Sequence, residues 1–176
     1  MELTSRFATS GDKAIIDSML TTLEAEILFE RGGRLFLKDL HAKVDRSLSS
    51  CLGISESNSE IISDSKFPSP LTVILGYIDA TCVGTVILEV EHQTQAESGT
   101  TGSLANILLI YVVPSSRECL IGEELLNEAK RVAKELLHCN YITGKTLPGD
   151  RAGKSLFENT GFKAQVITMG CSLENS

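Results

Sequence analysis

The feature that most constrains the fold is an apolar run that ends at a proline and leads into an amphipathic segment. Residues 104–113, LANILLIYVV, are apolar on both faces, as expected of a central strand. Pro114 stops this strand. From about Leu120 onward, apolar residues recur at spacings of three and four, which predicts a helix with one buried side. These residues are Ile121, Leu125, Ala129, Val132, Ala133, Leu136 and Leu137.

The rest of the pattern predicts an α/β chain with a mixed sheet. A first helix is indicated by the apolar spacing of Ile16, Met19, Leu20, Leu23 and Ile27, and it ends at Gly32-Gly33. The predicted order is a strand over 3–9, helices from 10 and 35, strands over 71–79, 83–93 and 104–113, a helix from 120, a strand over 141–147, a helix over 150–160 and a strand over 162–173. We expect one domain, 1–176, with 53–70 and 94–103 as flexible loops.

Composition excludes several function classes. The net charge of -7 argues against a nucleic-acid partner, because phosphate neutralisation needs clustered Lys and Arg. The absence of a run of 18 apolar residues argues against a membrane helix, and the N-terminus lacks the pattern of a secretory signal. The 5 cysteines form no C-x-x-C pair and the 3 histidines have no metal-ligand spacing. We therefore predict a cytoplasmic protein with reduced thiols and no metal.

The junction after the central strand has the chemistry of an anion site. The first N–H groups of a helix lack intrahelical acceptors and attract anions such as pyrophosphate. Arg117 can add positive charge, and Gly122 would let a ligand approach the backbone closely. The alternative, an ordinary strand-to-helix connection with a surface arginine, stays open on these observations alone.

The same segment resembles the acetyl-CoA-binding motif of the GNAT acyltransferase superfamily. That motif reads strand, Val, x-Pro-x-x-Arg, x-x-Gly-x-Gly, helix. Val113, Pro114, Arg117 and Gly122 stand at matching places, whereas Leu120 stands where the motif has its first Gly.

A second resemblance lies in residues 147–162, LPGDRAGKSLFENTGF, which are similar to a later helix of that family. Asp150 stands at the family's Asn, Gly153 at its Ala and Phe157 at its aromatic residue, and Gly161-Phe162 matches outright. The stretch looks most like actinobacterial members of unknown substrate. The resemblance implies a GNAT-like fold, with a central, mostly antiparallel sheet of six or seven strands flanked by about four helices.

The resemblance implies direct transfer of an acetyl group from acetyl-CoA to a primary amine of a small molecule or to a peptide N-terminus. The pantetheine arm would lie along 104–113 and bond chiefly at Tyr111 and Val113, and the pyrophosphate would take amides from Arg117 to Glu123. The implied cofactor-binding residues are Tyr111, Val112, Val113, Arg117, Glu118, Cys119, Leu120, Ile121, Gly122, Glu123, Asp150 and Phe157.

The catalytic groups are less defined. Glu89 and Glu91 alternate on one face of strand 83–93, so either could be the general base, or both could be solvated strand carboxylates. The family's usual acid is a Tyr where this chain has Phe157, which leaves Tyr111 and Ser155 as substitutes. Two functions follow, an active N-acetyltransferase and a GNAT-fold CoA-binding sensor or interaction protein. The resemblance also allows a homodimer.

Overall fold

The computed structural model describes residues 2–28, 33, 36–38, 40, 71–93, 102–117 and 119–165. Five strands form one sheet in the order β1-β2-β3-β4-β5. Neighbouring strands are antiparallel except β4 and β5, which are parallel. The strands are β1 (Leu3–Phe7), β2 (Leu71–Ile78), β3 (Thr81–Gln93), β4 (Gly102–Val112) and β5 (Tyr141–Gly144).

Three α-helices that lie wholly within the described residues cover the sheet, and residues 33, 36–38 and 40 are also helical. The three helices are α1 (Lys13–Ile27), α2 (Ile121–Arg131) and α3 (Arg151–Asn159), and α2 continues into a π-helical turn (Val132–Leu136). Short 3-10 turns precede α1 (Ser10–Asp12) and follow β4 (Pro114–Ser116). None of the described helices is long and apolar enough to cross a membrane.

The two faces of the sheet bury separate apolar clusters. Helix α1 covers one face, because its spacing of three and four puts the buried residues on a single stripe. Helices α2 and α3 cover the other face. The first cluster includes Ile16, Met19, Leu23, Leu71, Val73, Leu75, Ile87, Leu109 and Tyr111; the second includes Ile74, Val86, Leu88, Ile107, Ile121, Leu125, Leu126, Ala129, Val132 and Phe157.

Two paired glycines bring α2 close to the sheet. Gly76 of β2 lies opposite Gly84 of β3. A Cβ on Gly84 would stand 2.8 Å from Leu125 Cδ1, and one on Gly76 would stand 2.9 Å from Leu125 Cδ2. Leu125 of α2 therefore occupies the space that two side chains would otherwise fill, which fixes the height of the helix over the sheet.

An ion pair joins β1 to the start of α1. The two terminal nitrogens of Arg6, Nη1 and Nη2, each donate to the Asp12 carboxylate at 2.7 Å. Nη2 also donates to the Tyr77 hydroxyl at 2.7 Å. Asp12 also accepts from the Thr9 amide at 2.8 Å. Arg6 is the main reason why the pKa of Asp12 lies well below its usual range.

The predicted α/β fold with a mixed, mostly antiparallel sheet is confirmed, and the differences lie at the ends of elements. The described residues hold five strands rather than six or seven. The strand predicted over 141–147 ends at Gly144, and 162–165 are irregular where a last strand was expected. Residues 53–70, 94–101 and 166–173 lie outside the described residues, as does most of the helix predicted from 35.

Candidate functional site

Strand β4 has an open edge over its second half. Strand β5 pairs only with Leu104–Ile107, and no other described strand pairs with that side of β4. The register between β3 and β4 shifts at Ile87/Leu88, so that Leu108 is an extra residue in β4. Such a bulge bends its strand. Strands β4 and β5 therefore part at Ile107, which leaves the backbone beyond it unpaired on one side.

The alternation of β4 decides which peptide groups face this edge. The Val113 amide donates to Val83 O of β3 at 2.9 Å. Groups two residues apart point the same way along a strand, so the peptide groups of Tyr111 are also turned toward β3. Those of Ile110 and Val112 face the open edge instead. An extended ligand along β4 would therefore pair with Ile110 and the Val112 amide, rather than with Tyr111 and Val113 as expected from the resemblance.

The turn after β4 ends in the amides that begin α2. The Cys119 amide donates to Ser116 O at 3.4 Å, and the Glu123 amide donates to Leu120 O at 3.0 Å. By contrast, the amides of Leu120, Ile121 and Gly122 are at the helix end, where intrahelical acceptors are lacking. Of the predicted turn amides, these three could donate to an anion. We call the turn from Val113 to Gly122 the anion-binding turn, after this predicted role. Glu118 lies outside the described residues.

Leu120 adopts a left-handed backbone conformation that favours glycine, the residue that the family motif has at this place. Its φ is 58° and its ψ is 6°, in the left-handed region, at the N-cap of α2. A non-glycine residue there costs about 1–2 kcal/mol. The Leu120 side chain is 65% exposed, so it projects into solvent beside the amides rather than into the core. The turn therefore keeps a glycine-like backbone but carries a bulky side chain at its surface.

The Arg117 side chain is bound to two other elements. Its Nε donates to Val112 O at 2.9 Å, and its Nη2 donates to Glu26 Oε2 of α1 at 2.6 Å. Its Cζ lies 5.5 Å from the centre of the Tyr111 ring. Arg117 thus occupies the edge-facing carbonyl of Val112 and ties the turn to α1.

Tyr111 lies below Arg117 and is buried. Its hydroxyl is 3.5 Å from Glu26 Oε1. Burial is the main cause that raises the pKa of Tyr111, and the Glu26 carboxylate raises it further. The hydroxyl is therefore protonated at neutral pH, but it is directed toward α1.

A cavity of about 260 Å³ lies where β4 and β5 separate. Glu91 lines this cavity, whereas Glu89 is not among its described lining residues. At its wall, the Thr143 hydroxyl donates to Asn106 Oδ1 at 2.5 Å, and these two residues pair one position before the last pair of the two strands. The described lining residues are Phe36, Leu40, Glu91, Asn106, Ile107, Leu108, Thr143, Gly144 and Lys145.

Two predicted cofactor residues on α3 have structural contacts. Asp150 is the N-cap of α3, and its Oδ1 accepts from the Gly153 amide at 2.8 Å. Phe157 is buried, and its ring meets that of Phe162 edge-on at 5.0 Å between centroids. Cys119, by contrast, is exposed in the anion-binding turn.

Sequence reasoning did not identify Glu26, Asn106, Thr143 or the segment that carries Phe36 and Leu40. For Glu26 a signal exists, because it lies three residues after buried Leu23 and seven after buried Met19. A carboxylate at that spacing lies on the same side of α1 as the buried stripe, where it can reach a neighbouring element although it is itself exposed. The others depend on which strands become neighbours.

The chain belongs to the GNAT acetyltransferase family. The model of that family, described as acetyltransferase (GNAT) family, matches residues 22–162 of the 176. This range contains the anion-binding turn, the open edge of β4 and the cavity. No curated protein matches the chain.

Solved structures share the fold over the whole chain. A predicted acetyltransferase from Clostridium acetobutylicum, solved with acetyl-CoA, has a TM-score of 0.63 and 14% identity and covers 98% of this chain and 97% of its own. A putative acetyl transferase from Pyrococcus furiosus has a TM-score of 0.63 and 20% identity, covering 98% and 100%. An aminoglycoside acetyltransferase from an uncultured soil metagenomic sample, in complex with sisomicin, has a TM-score of 0.62 and 15% identity, covering 98% and 97%.

Proposed function

We propose that the protein transfers an acetyl group from acetyl-CoA to a primary amine, either of a small molecule or at a peptide N-terminus. The observation that carries the proposal is a continuous track along β4. It begins at the cavity between β4 and β5, follows the edge-facing groups of Ile110 and the Val112 amide, and ends at the amides of Leu120, Ile121 and Gly122. The Val112 carbonyl is taken by Arg117 Nε.

Each part of this track suits one part of acetyl-CoA. Amides at a helix end donate to a pyrophosphate without needing a side chain. Unpaired strand groups bind an extended, amide-containing arm as they would bind another strand. The residues present therefore fit the co-substrate, which would supply the activated acetyl group as a thioester.

Glu91 is the proposed general base. It is on β3, the strand next to β4, and it lines the cavity. An attacking amine must lose a proton as its nitrogen bonds to the acetyl carbon, and a carboxylate at the cavity can take it directly or through water. The thiolate leaves without strong assistance because a thiol has a pKa of about 8.5. A dedicated acid is thus less necessary than a base.

The cavity favours a small acceptor with one amine. Its described walls combine apolar side chains, among them Phe36 and Leu40, with one carboxylate, Glu91, and one cationic residue, Lys145. One carboxylate suits one ammonium group, and the apolar walls suit a hydrocarbon body. For a peptide acceptor, only the N-terminal residue would enter.

Binding and transfer are tested separately. Acetyl-CoA should raise the melting temperature of the protein in proportion to the logarithm of its concentration, since a ligand specific for the folded state stabilises it by mass action. CoA release is then measured with a panel of monoamines, polyamines and short peptides. A melting temperature that does not change with millimolar acetyl-CoA contradicts the proposal.

A second candidate, a CoA-binding sensor with little transferase activity, is favoured by Phe157. This residue is buried and has no hydroxyl to donate where the family resemblance implies a Tyr. If acetyl-CoA raises the melting temperature but no amine on the panel causes release of CoA, the protein is a CoA-binding sensor and not a transferase.

A further inference from the structure

We propose that Glu26 is a positioning residue that holds Arg117, and through it the anion-binding turn, in the geometry that accepts the pyrophosphate of acetyl-CoA. This inference depends on the proposed function. Glu26 lies in the last turn of α1, far in sequence from the turn that it contacts. Its Oε2 is 2.6 Å from Arg117 Nη2.

The guanidinium of Arg117 is held at two points, which fixes its plane. One point is Val112 O, bonded to Nε at 2.9 Å, and the other is Glu26, bonded to Nη2. Because the guanidinium is a rigid fork, these two bonds together orient the whole group. Without Glu26, the bond to Val112 O alone would leave the side chain free to rotate about it.

The second oxygen of Glu26 reinforces this arrangement. Oε1 is 3.5 Å from the buried Tyr111 hydroxyl, and the Tyr111 ring lies under the guanidinium. The carboxylate thus bridges Arg117 and Tyr111, the two residues that bracket the end of β4. The turn between Val112 and Leu120 is thereby attached to α1 as well as to the sheet, so the amides that follow it have a defined position.

Helix α1 offers a matched control in Asp17. This carboxylate also forms an ion pair on α1, with Lys13 Nζ at 2.6 Å. The side chains of Lys13 and Asp17 are about half-exposed, at 58% and 50%. Asp17→Asn therefore removes the same charge and the same type of contact from the same helix. It does not touch β4 or the turn.

The experiment measures acetyl-CoA binding by titration calorimetry for the wild type, Glu26→Gln, Glu26→Asp and Asp17→Asn, with thermal unfolding as a folding check. We expect Glu26→Gln and Glu26→Asp each to weaken binding by about five- to tenfold, and Asp17→Asn to change it by less than about twofold. Glu26→Asp keeps the charge but is one methylene too short for the contact. S-acetylpantetheine, which lacks the pyrophosphate, serves as a competitor whose affinity should stay nearly constant across the variants.

Two results would overturn the inference. One is wild-type or tighter acetyl-CoA binding by either Glu26 variant, which would show that the contact is dispensable or that the carboxylate repels the pyrophosphate. The other is an equal loss for acetyl-CoA and S-acetylpantetheine, which would place the effect away from the turn. A wild type that binds no acetyl-CoA contradicts the proposed function instead, so the two failures are distinguishable.

Discussion

Phe157 Cζ lies so close to Gly144 that a Cβ on the glycine would stand 2.5 Å from it. Gly144 is the last residue of β5 and lines the cavity. The edge of the Phe157 ring therefore points at the cavity wall through the space left by a missing side chain. A hydroxyl on Cζ would stand at that wall, where the family resemblance implies a proton donor.

Phe157→Tyr is expected to raise kcat by about three- to tenfold if the protein is a transferase, because the new hydroxyl can protonate the leaving thiolate. The gain is modest because a thiolate is already a good leaving group. The control is Phe162→Tyr, which adds a hydroxyl to the neighbouring ring. Steady-state kinetics with one fixed amine measures kcat for both variants. An equal change of kcat in the two variants would mean that the hydroxyl on residue 157 has no specific role at the cavity.

Glu91→Gln should lower kcat/KM by about 100-fold, in line with the loss of a general base. Glu89→Gln should have a much smaller effect, since Glu89 is not among the described cavity residues. The split between kcat and KM separates a base from a binding group. The loss in Glu91→Gln should lie in kcat at saturating amine, and a larger loss of kcat in Glu89→Gln would transfer the role to Glu89.

Leu120→Gly should tighten acetyl-CoA binding, because it removes a 65%-exposed side chain beside the amides of α2. Stability should change by less than about 1 kcal/mol, since relief of the left-handed strain is offset by the backbone entropy of glycine. Leu120→Ala separates the two effects, because it trims the side chain but keeps the strain. Calorimetric titration should give tighter binding for both variants; unchanged affinity in both would mean that Leu120 does not crowd the site.

Asp12→Asn should destabilise the protein at pH 7 by about 1–2 kcal/mol, because it weakens a part-buried, charge-assisted pair in which Arg6 is partly screened by solvent. The pKa of Asp12 is lowered in the folded state, chiefly by Arg6. Its contribution is therefore complete above the unfolded-state pKa of about 3.9 and is lost as pH falls through the lower folded-state pKa. Urea unfolding should show the difference between wild type and variant shrinking below pH 4 as acid is added. A difference that does not depend on pH would assign the effect to packing.

Much of the fold could be predicted because it follows from local periodicity. The stripe of Ile16, Met19 and Leu23 and the run of 104–113 each determine an element without reference to the rest of the chain. The ends of the helices and strands were predicted less accurately. Strand β5 ends at Gly144 rather than at 147, since its length depends on where bulged β4 turns away from it.

The site divides in the same way. The turn around Arg117 and Gly122 is contiguous in sequence, so its chemistry could be read from residue types alone. The cavity could not, because Glu91, Asn106 and Thr143 come from three strands whose register is decided only by the sheet.

The sequence by itself determined the order of the described helices and strands, the place of the turn between β4 and α2 and the family to which the chain is similar. Those properties are encoded within short segments by periodicity, a proline and a helix start. Only the tertiary structure decided that Glu26 meets Arg117, that Glu91 rather than Glu89 lines the cavity, and that Ile110 and Val112 face the open edge. Each of these depends on strand register, a one-residue bulge or the packing of α1, which no local pattern specifies.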